Sequence, residues 1–360
     1  MVAALVALGV AISPAAAQGP VQLTPPAPQT PAAPQTPAAK PAKKLPNHGP
    51  ATPPPAAAPV APAPQATAPA NGSRHEPDLA YGAYQRGYYV TAFATATRRA
   101  SELKDVKAMT LLGELYANGL GVDRDDKKAA EWYRLAADRG DRDAMFALAM
   151  FDLGGRIGPP NAEEGTKLLA AAVKLGHAPA AYDLGLIYLE GRLFPQDFAR
   201  AAQLFRSAAQ AGVPEAQYAL ATLYKEGRGV AKDDAEAARL KGQAAIADHT
   251  DAQVEYAIAL FNGTGVARNE PLAITLLQKA ARKGNPIAQN RLANVLAVGR
   301  GIAADPVAAI KWHIIAKAGG VSDIPLDTFM QKQSAEIRAA GEKAAKPWLD
   351  AIKEARESRS

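Results

Sequence analysis

Residues 105–140, DVKAMTLLGELYANGLGVDRDDKKAAEWYRLAADRG, open a series of segments that keep the same residue types in the same places at every step of 36. Ala108 recurs as Ala144, Ala180, Ala216, Ala252 and Ala288. Gly119 recurs as Gly155, Gly191, Gly227, Gly263 and Gly299, and Gly140 as Gly176, Gly212, Gly284 and Gly320, with Asp248 interrupting that second glycine column. A period of this length marks a stack of small units, each covering the apolar face of its neighbour, instead of one large globular core. Glycine ends helices because it enters the left-handed region without steric cost. Between the two glycines runs a third column, Asp125, Asn161, Asp197, Asp233, Asn269 and Asp305, whose side chains accept hydrogen bonds from the unpaired N–H groups of a following helix. Each unit therefore predicts helix A (106–118 in the first copy), a loop, helix B (126–139) and a short turn.

The apolar spacing agrees with that division. Leu112, Leu115 and Tyr116 on helix A are set at helical offsets to meet Ala129, Trp132, Leu135 and Ala136 on helix B. One hairpin leaves its outer faces bare, so the units must stack. The Ala108 column and the column Ala136, Ala172, Ala208, Ala244, Ala280 and Ala316 suit the tightest helix crossings.

Leu112-Gly113-Glu114-Leu115-Tyr116, Gly119-Leu120-Gly121-Val122, Asp125, Ala129, Trp132-Tyr133 and Ala136-Ala137 resemble the Sel-one-like repeats, a branch of the tetratricopeptide superfamily. The pattern returns as Leu220 to Tyr224 with Gly227-Arg228-Gly229-Val230, as Gly263-Thr264-Gly265-Val266 and as Gly299-Arg300-Gly301-Ile302. The second copy departs most, with Asp152 in the tyrosine column and Ile157-Gly158-Pro159-Pro160 in its loop. The resemblance implies an all-α, right-handed α-solenoid of stacked antiparallel helix pairs. Six repeats are expected over 105–320, preceded by a divergent tetratricopeptide-like hairpin over 77–104 and followed by C-terminal capping helices over 321–360.

The beginning of the chain obeys different physics. Residues 2–12 are almost wholly apolar, and Ser13-Pro14-Ala15-Ala16-Ala17 supplies the break and small residues of an A-x-A cleavage site. Residues 1–17 thus read as a secretory signal peptide cut near Gln18, with an uncleaved inner-membrane anchor as the alternative. From Gln18 to Arg74 the chain is rich in Pro, Ala, Gln and Thr, has no acidic residue and carries its cations at Lys40, Lys43, Lys44 and Arg74. Residues 18–76 are expected to be a disordered proline-rich spacer. Docking of this stretch by a partner, or contact of its lysines with an anionic envelope surface, stands as the alternative to a plain tether. These readings place the protein outside the cytoplasm, most simply in the periplasm.

Composition narrows the chemistry. Four of the six net positive charges belong to the spacer, which leaves the repeats nearly balanced and without the basic, aromatic-interleaved stripe that nucleic-acid binding needs. The chain has no cysteine, which excludes disulfides, thiolate metal sites and a cysteine nucleophile. Ser101-Glu102-Leu103-Lys104 fits the S-x-x-K pattern of penicillin-recognising enzymes but has no S-D-N or K-T-G companion. None of His48, His75, His177, His249 and His313 has metal-ligand spacing, and His177 and His249 read as surface turn residues two repeats apart. No enzyme, no cofactor and no nucleic-acid partner are expected.

Function is then sought on the surface. The family pattern places the columns of Lys107, Thr110, Glu114, Ala117 and Asn118 on the concave wall lined by helix A. In the middle copies these columns hold Phe146, Met150, Tyr182, Leu186, Leu189, Tyr218, Ile258 and Phe261, edged by Asp143, Glu190, Glu215, Glu226 and Asp251. Such a patch, if exposed, is a groove for an apolar or amphipathic protein segment with basic flanks. Tighter superhelical winding, or the C-terminal helices folding back, would instead bury it. The resemblance implies a protein-interaction scaffold or regulator, with the sensor domain of a membrane signalling protein among the partners its exported members bind. A binder or hydrolase of cell-wall glycans or peptides is the alternative of a different class.

Overall fold

The computed structural model describes residues 79–358; the signal peptide and proline-rich spacer expected over 1–76 lie outside them. Among the described residues the chain is helical throughout. A first hairpin, α1 (Leu79–Gln85) and α2 (Tyr89–Glu102), precedes six pairs: α3 (Val106–Asn118) with α4 (Asp126–Ala137), α5 (Arg142–Gly154) with α6 (Ala162–Lys174), and α7 (Ala178–Glu190) with α8 (Phe198–Gln210), followed by α9 (Pro214–Glu226) with α10 (Asp234–Ile246), α11 (Thr250–Asn262) with α12 (Glu270–Arg282), and α13 (Pro286–Val298) with α14 (Pro306–Ala318). Then come α15 (Ile324–Gln331) and α16 (Ala335–Glu357). From α1 to α15 each helix packs on the next along the chain, and α16 packs on α14, so the described residues form an α-solenoid of antiparallel pairs. Helix A of the first pair also touches helix A of the second (α3 with α5).

Local chemistry fixes the boundaries. All six Asp or Asn residues of the third column are N-caps whose side chains accept backbone N–H groups, as Lys128 N–H donates to Asp125 at 3.0 Å. Each A helix stops on its glycine in the left-handed region, with φ between 64° and 72°. Asp248 shows how firmly the inter-repeat turn is specified. It takes φ 74° in a column of glycines, a conformation that asparagine and aspartate tolerate better than other L-residues. Lys279 and Lys283, 2.8 and 2.5 Å from its carboxylate, and Gln253 hold the side chain in place and its carboxyl far below the usual range. Elsewhere the backbone leaves no room for a side chain: a Cβ on Gly265 would stand 1.9 Å from the carbonyl oxygen of Asp234 at the start of the preceding helix B.

The core is a chain of small clusters, as expected of a stack. Every member of the Ala108 and Ala136 columns is buried, which allows the backbones to approach closely. One contact differs from the sequence reading. Leu135, expected to face helix A, is 41% exposed, and Tyr133 is buried in its place. Helix B starts at Asp126, so Ala129, Ala130, Tyr133, Ala136 and Ala137 form its inward stripe, and Leu135 falls on the opposite side. In the second repeat Asp152 follows the tyrosine column inward; burial pushes its carboxyl up, and one of its oxygens has no hydrogen-bond partner.

Arginines from the A–B loops tie successive repeats together. The Arg300 side chain reaches back to Glu270 at 2.8 Å and to the Phe261 carbonyl at 3.2 Å, and lies over the Phe261 ring. Arg156 repeats the polar contacts against Asp126 and the Ala117 carbonyl, and lies over the Phe151 ring of its own repeat. In both cases a guanidinium closes the last turn of the preceding helix A and neutralises an acid at the start of the preceding helix B. At the far end α16 packs along α14, and Asp323, the N-cap of α15, accepts hydrogen bonds from Asn290 and Asn294, each at 2.9 Å.

Candidate functional site

The eight residues expected on the inner wall all lie on A helices, five of them on α5 and α7. Phe146, Met150, Tyr182, Leu186, Leu189, Tyr218 and Ile258 are half-buried, whereas Phe261 is buried beneath Arg300. The patch therefore lies between the exposed groove and the buried face that the sequence left open. These side chains are partly consumed by packing, Tyr182 against Phe205 of its own helix pair for instance, and the remaining edges form a shallow apolar seam. The C-terminal helices do not fold back over it, since the substantial contacts of α15 and α16 are with α13 and α14. The polar end of the wall is explained too: Asn290 and Asn294 are the residues that hold Asp323.

Much of the acidic rim is locally paired. Asp143 meets Lys107 at 2.7 Å, Glu190 meets Arg192 at 3.4 Å, Glu226 meets Arg228 at 3.1 Å, and Asp251 accepts from Asn285 at 3.0 Å.

The two inter-repeat histidines are not surface turn residues. His177 and His249 are N-caps: the N–H groups of Ala180 and Ala252 donate to their Nδ1 atoms at 3.0 and 3.1 Å. Their rings stack on Phe146 and Tyr218, with centroids 4.6 and 4.7 Å apart. At His177 a neutral imidazole is favoured, because protonation at Nδ1 would remove the acceptor and place a cation at the positive end of a helix dipole. Burial lowers the affinity of His177 for a proton, partly countered by Asp143; Asp141, Arg142 and Lys107 also face it. A histidine with a depressed folded pKa contributes stability above its unfolded value of about 6.5 and loses it as pH falls through the folded value. We expect His177→Asn, which supplies the cap that Asn285 provides to α13, to remove part of the stability loss between about pH 7 and pH 5. Urea unfolding of both proteins across that window checks it. Identical pH profiles would show that the imidazole cap carries no linkage.

Beneath Tyr218 lies a feature that periodicity did not reveal. Lys241 occupies a helix-B core position held elsewhere by Tyr133, Leu169, Phe205, Leu277 and His313, and is only 5% exposed. Its ammonium sits 2.7 Å from Glu255, which also accepts the Tyr218 hydroxyl at 2.7 Å and has Lys225 at 3.5 Å. Burial alone would raise the Glu255 carboxyl, but Lys241 and its other partners outweigh it and hold the group below its usual range. The signal was present in the sequence as a lysine in an otherwise non-cationic column.

No group of His, Asp or Glu among the described residues has metal-binding geometry, and no described helix is long and apolar enough to cross a membrane. Ser101 donates to the Thr97 carbonyl at the end of α2. A cavity of about 670 Å³ lies away from the seam, at the loop of the third pair, lined by Tyr188, Phe194, Phe198 and Arg200, whose guanidinium is committed to the Tyr188 hydroxyl.

The Sel1 repeat model matches six consecutive segments, 106–141, 142–177, 178–213, 214–249, 250–285 and 286–321. Among solved structures, a protective antigen present in uropathogenic Escherichia coli strains and displaying an SLR fold is 26% identical and superposes with a TM-score of 0.64. The match covers 77% of this chain and 62% of that one, so this chain spans less than two thirds of that relative's length. A Sel1 repeat protein from Oxalobacter formigenes is also 26% identical, with a TM-score of 0.57 over 68% of this chain and 97% of its own. No curated protein matches the chain.

Proposed function

This chain belongs to the Sel1 repeat family, and from that premise we propose that it is an exported interaction scaffold whose inner wall captures an apolar or amphipathic segment of another protein. The observation that carries the reading is the half-buried seam of Phe146, Met150, Tyr182, Leu186 and Leu189 on the A helices of the second and third repeats. Packing consumes only part of these side chains, and a grouping of uncovered apolar edges on successive A helices, in contrast to single exposed residues, is what marks a partner surface. The partner is a protein, with a sensor domain of a membrane signalling protein the candidate the family brings. Export rests on the apolar start and the small residues at Ala15 and Ala17.

A photoreactive residue tests the wall directly. Placed at Tyr182 in the native host, it is expected to give one discrete adduct, which Leu186→Ser abolishes. The same residue at Leu135, on the far side of helix B, is expected to give none. Equal labelling from both positions, or no adduct at 182, overturns the reading. Recovery of the adduct in the fraction released by osmotic shock, with an N-terminus near Gln18, supports export; recovery in the cytoplasm contradicts it.

A further inference from the structure

The 36-residue period makes the molecule its own reference, because each seam between repeats can be compared with the others position by position. Glu255, at the seam of the fourth and fifth repeats, is surrounded by Tyr218, Lys225 and Lys241. Two repeats earlier the same position is Asp183, again a carboxylate, and the positions of Tyr218, Lys225 and Lys241 are held by Phe146, Leu153 and Leu169. The two seams share their frame. Each has an N-cap histidine stacked on the aromatic ring, His177 on Phe146 and His249 on Tyr218. What differs is the cation. The later seam supplies two lysines and a hydroxyl to its acid, whereas Phe146, Leu153 and Leu169 belong to one apolar cluster and supply nothing.

Asp183 is consequently a half-buried carboxylate with no hydrogen-bond or ion-pair partner among the described residues. Burial, with no charge to compensate it, pushes the carboxyl up to about 6. A carboxylate kept in this setting costs stability, and the later seam shows what relieves it: an ammonium about 2.7 Å away. Asp183 also lies next to Tyr182, in the middle of the apolar seam, where it is partly open to solvent.

We propose that Asp183 is the receptacle for one basic side chain, a lysine or arginine, carried by the segment that occupies the inner wall. The inference rests on the groove proposed above and adds its specificity. Apolar residues of the bound segment cover Phe146, Tyr182 and Leu186, and a single cation among them enters between Phe146 and Leu153 to do for Asp183 what Lys241 does for Glu255. The charge that is unfavourable in the free protein then becomes the point of selection, since a segment without the cation would bury the carboxylate completely and leave it unpaired.

The probe is a set of 15-residue amphipathic helical peptides on a Leu/Ala frame, with lysine, arginine, norleucine or glutamate scanned through each position. Binding is measured by fluorescence anisotropy on the full chain. The wild-type protein is expected to favour lysine or arginine over norleucine at one position by about tenfold or more, and to reject glutamate there. Asp183→Asn is expected to erase that preference, weakening the lysine peptide and tightening the norleucine peptide, which no longer buries an unpaired charge, and to raise the melting temperature. Leu169→Lys, which supplies an internal ammonium at the position of Lys241, is expected to erase the preference with Asp183 still in place. Equal affinity for lysine and norleucine on the wild type, or a lysine preference that survives Asp183→Asn, overturns the proposal. If norleucine peptides bind and Leu186→Ser abolishes their binding, the groove stands although Asp183 selects nothing. If no peptide binds, groove and receptacle fall together.

Discussion

Replacing Glu255 by glutamine is expected to lower the unfolding free energy by about 3 kcal/mol, near the lower end of the range for breaking a buried ion pair. Lys241 cannot reach water by itself: it is 5% exposed and stands in the helix-B column that fills the hairpin core. Glu255, with its side chain 29% exposed, is the group that makes this burial tolerable. Glutamine preserves the shape and the acceptor for the Tyr218 hydroxyl but removes the charge, so the cost reports the stranded ammonium and not a lost contact surface. The reverse change is milder. Lys241→Leu leaves Glu255 with Tyr218, Lys225 and some solvent, and about 1–2 kcal/mol is expected. Combining Lys241→Leu with Glu255→Leu should return the protein to within about 1 kcal/mol of wild type, because Leu169 and Leu277 already occupy the lysine's position in other repeats. Urea unfolding of the three variants measures this. A loss below about 1 kcal/mol for Glu255→Gln would mean that water reaches the lysine and that the pair is a surface bridge.

Periodicity made the architecture legible because backbone requirements recur in every copy. Columns of glycine and of Asp or Asn mark positions where only a few residue types work, and a short list of permitted residues survives as a visible column. The alanine columns were readable for the same reason, since close helix approach excludes larger side chains. What escaped the sequence occurs once or twice. Lys241, Glu255 and Asp183 are departures from a column, and a departure is informative only when its neighbours across the seam are known. The histidine caps were missed because imidazole is an uncommon substitute for Asp or Asn, although Asp105, Asp141 and Asn285 stand in the same column as His177 and His249. The exposure of the columns assigned to the inner wall was left open by the sequence. A column says which way a side chain points, whereas the fraction left uncovered depends on how tightly successive repeats wind.

Gly185→Ala is expected to destabilise the protein by about 1–2 kcal/mol, although alanine is the better helix former by about 1 kcal/mol. The added Cβ would stand 2.6 and 2.8 Å from two atoms of the Phe205 ring, which is fully buried, so either ring or helix must move. The repeats themselves supply the remedy. Glycine faces an aromatic ring in the first and third copies, Gly113 with Tyr133 and Gly185 with Phe205; alanine faces leucine in the second and fifth, Ala149 with Leu169 and Ala257 with Leu277. Phe205→Leu alone leaves space that the rigid hairpin cannot close, a cost of about 1–2 kcal/mol. Made together, the two substitutions rebuild the pair already used two repeats later and should bring stability back to within about 0.5 kcal/mol of wild type, with alanine's helix propensity offsetting the smaller buried area. A double variant as unstable as the two single losses added together would show that glycine and ring are not coupled across the hairpin. It would then be necessary to find in the loop, where Phe198 and Arg228 stack, the reason for a glycine at 185.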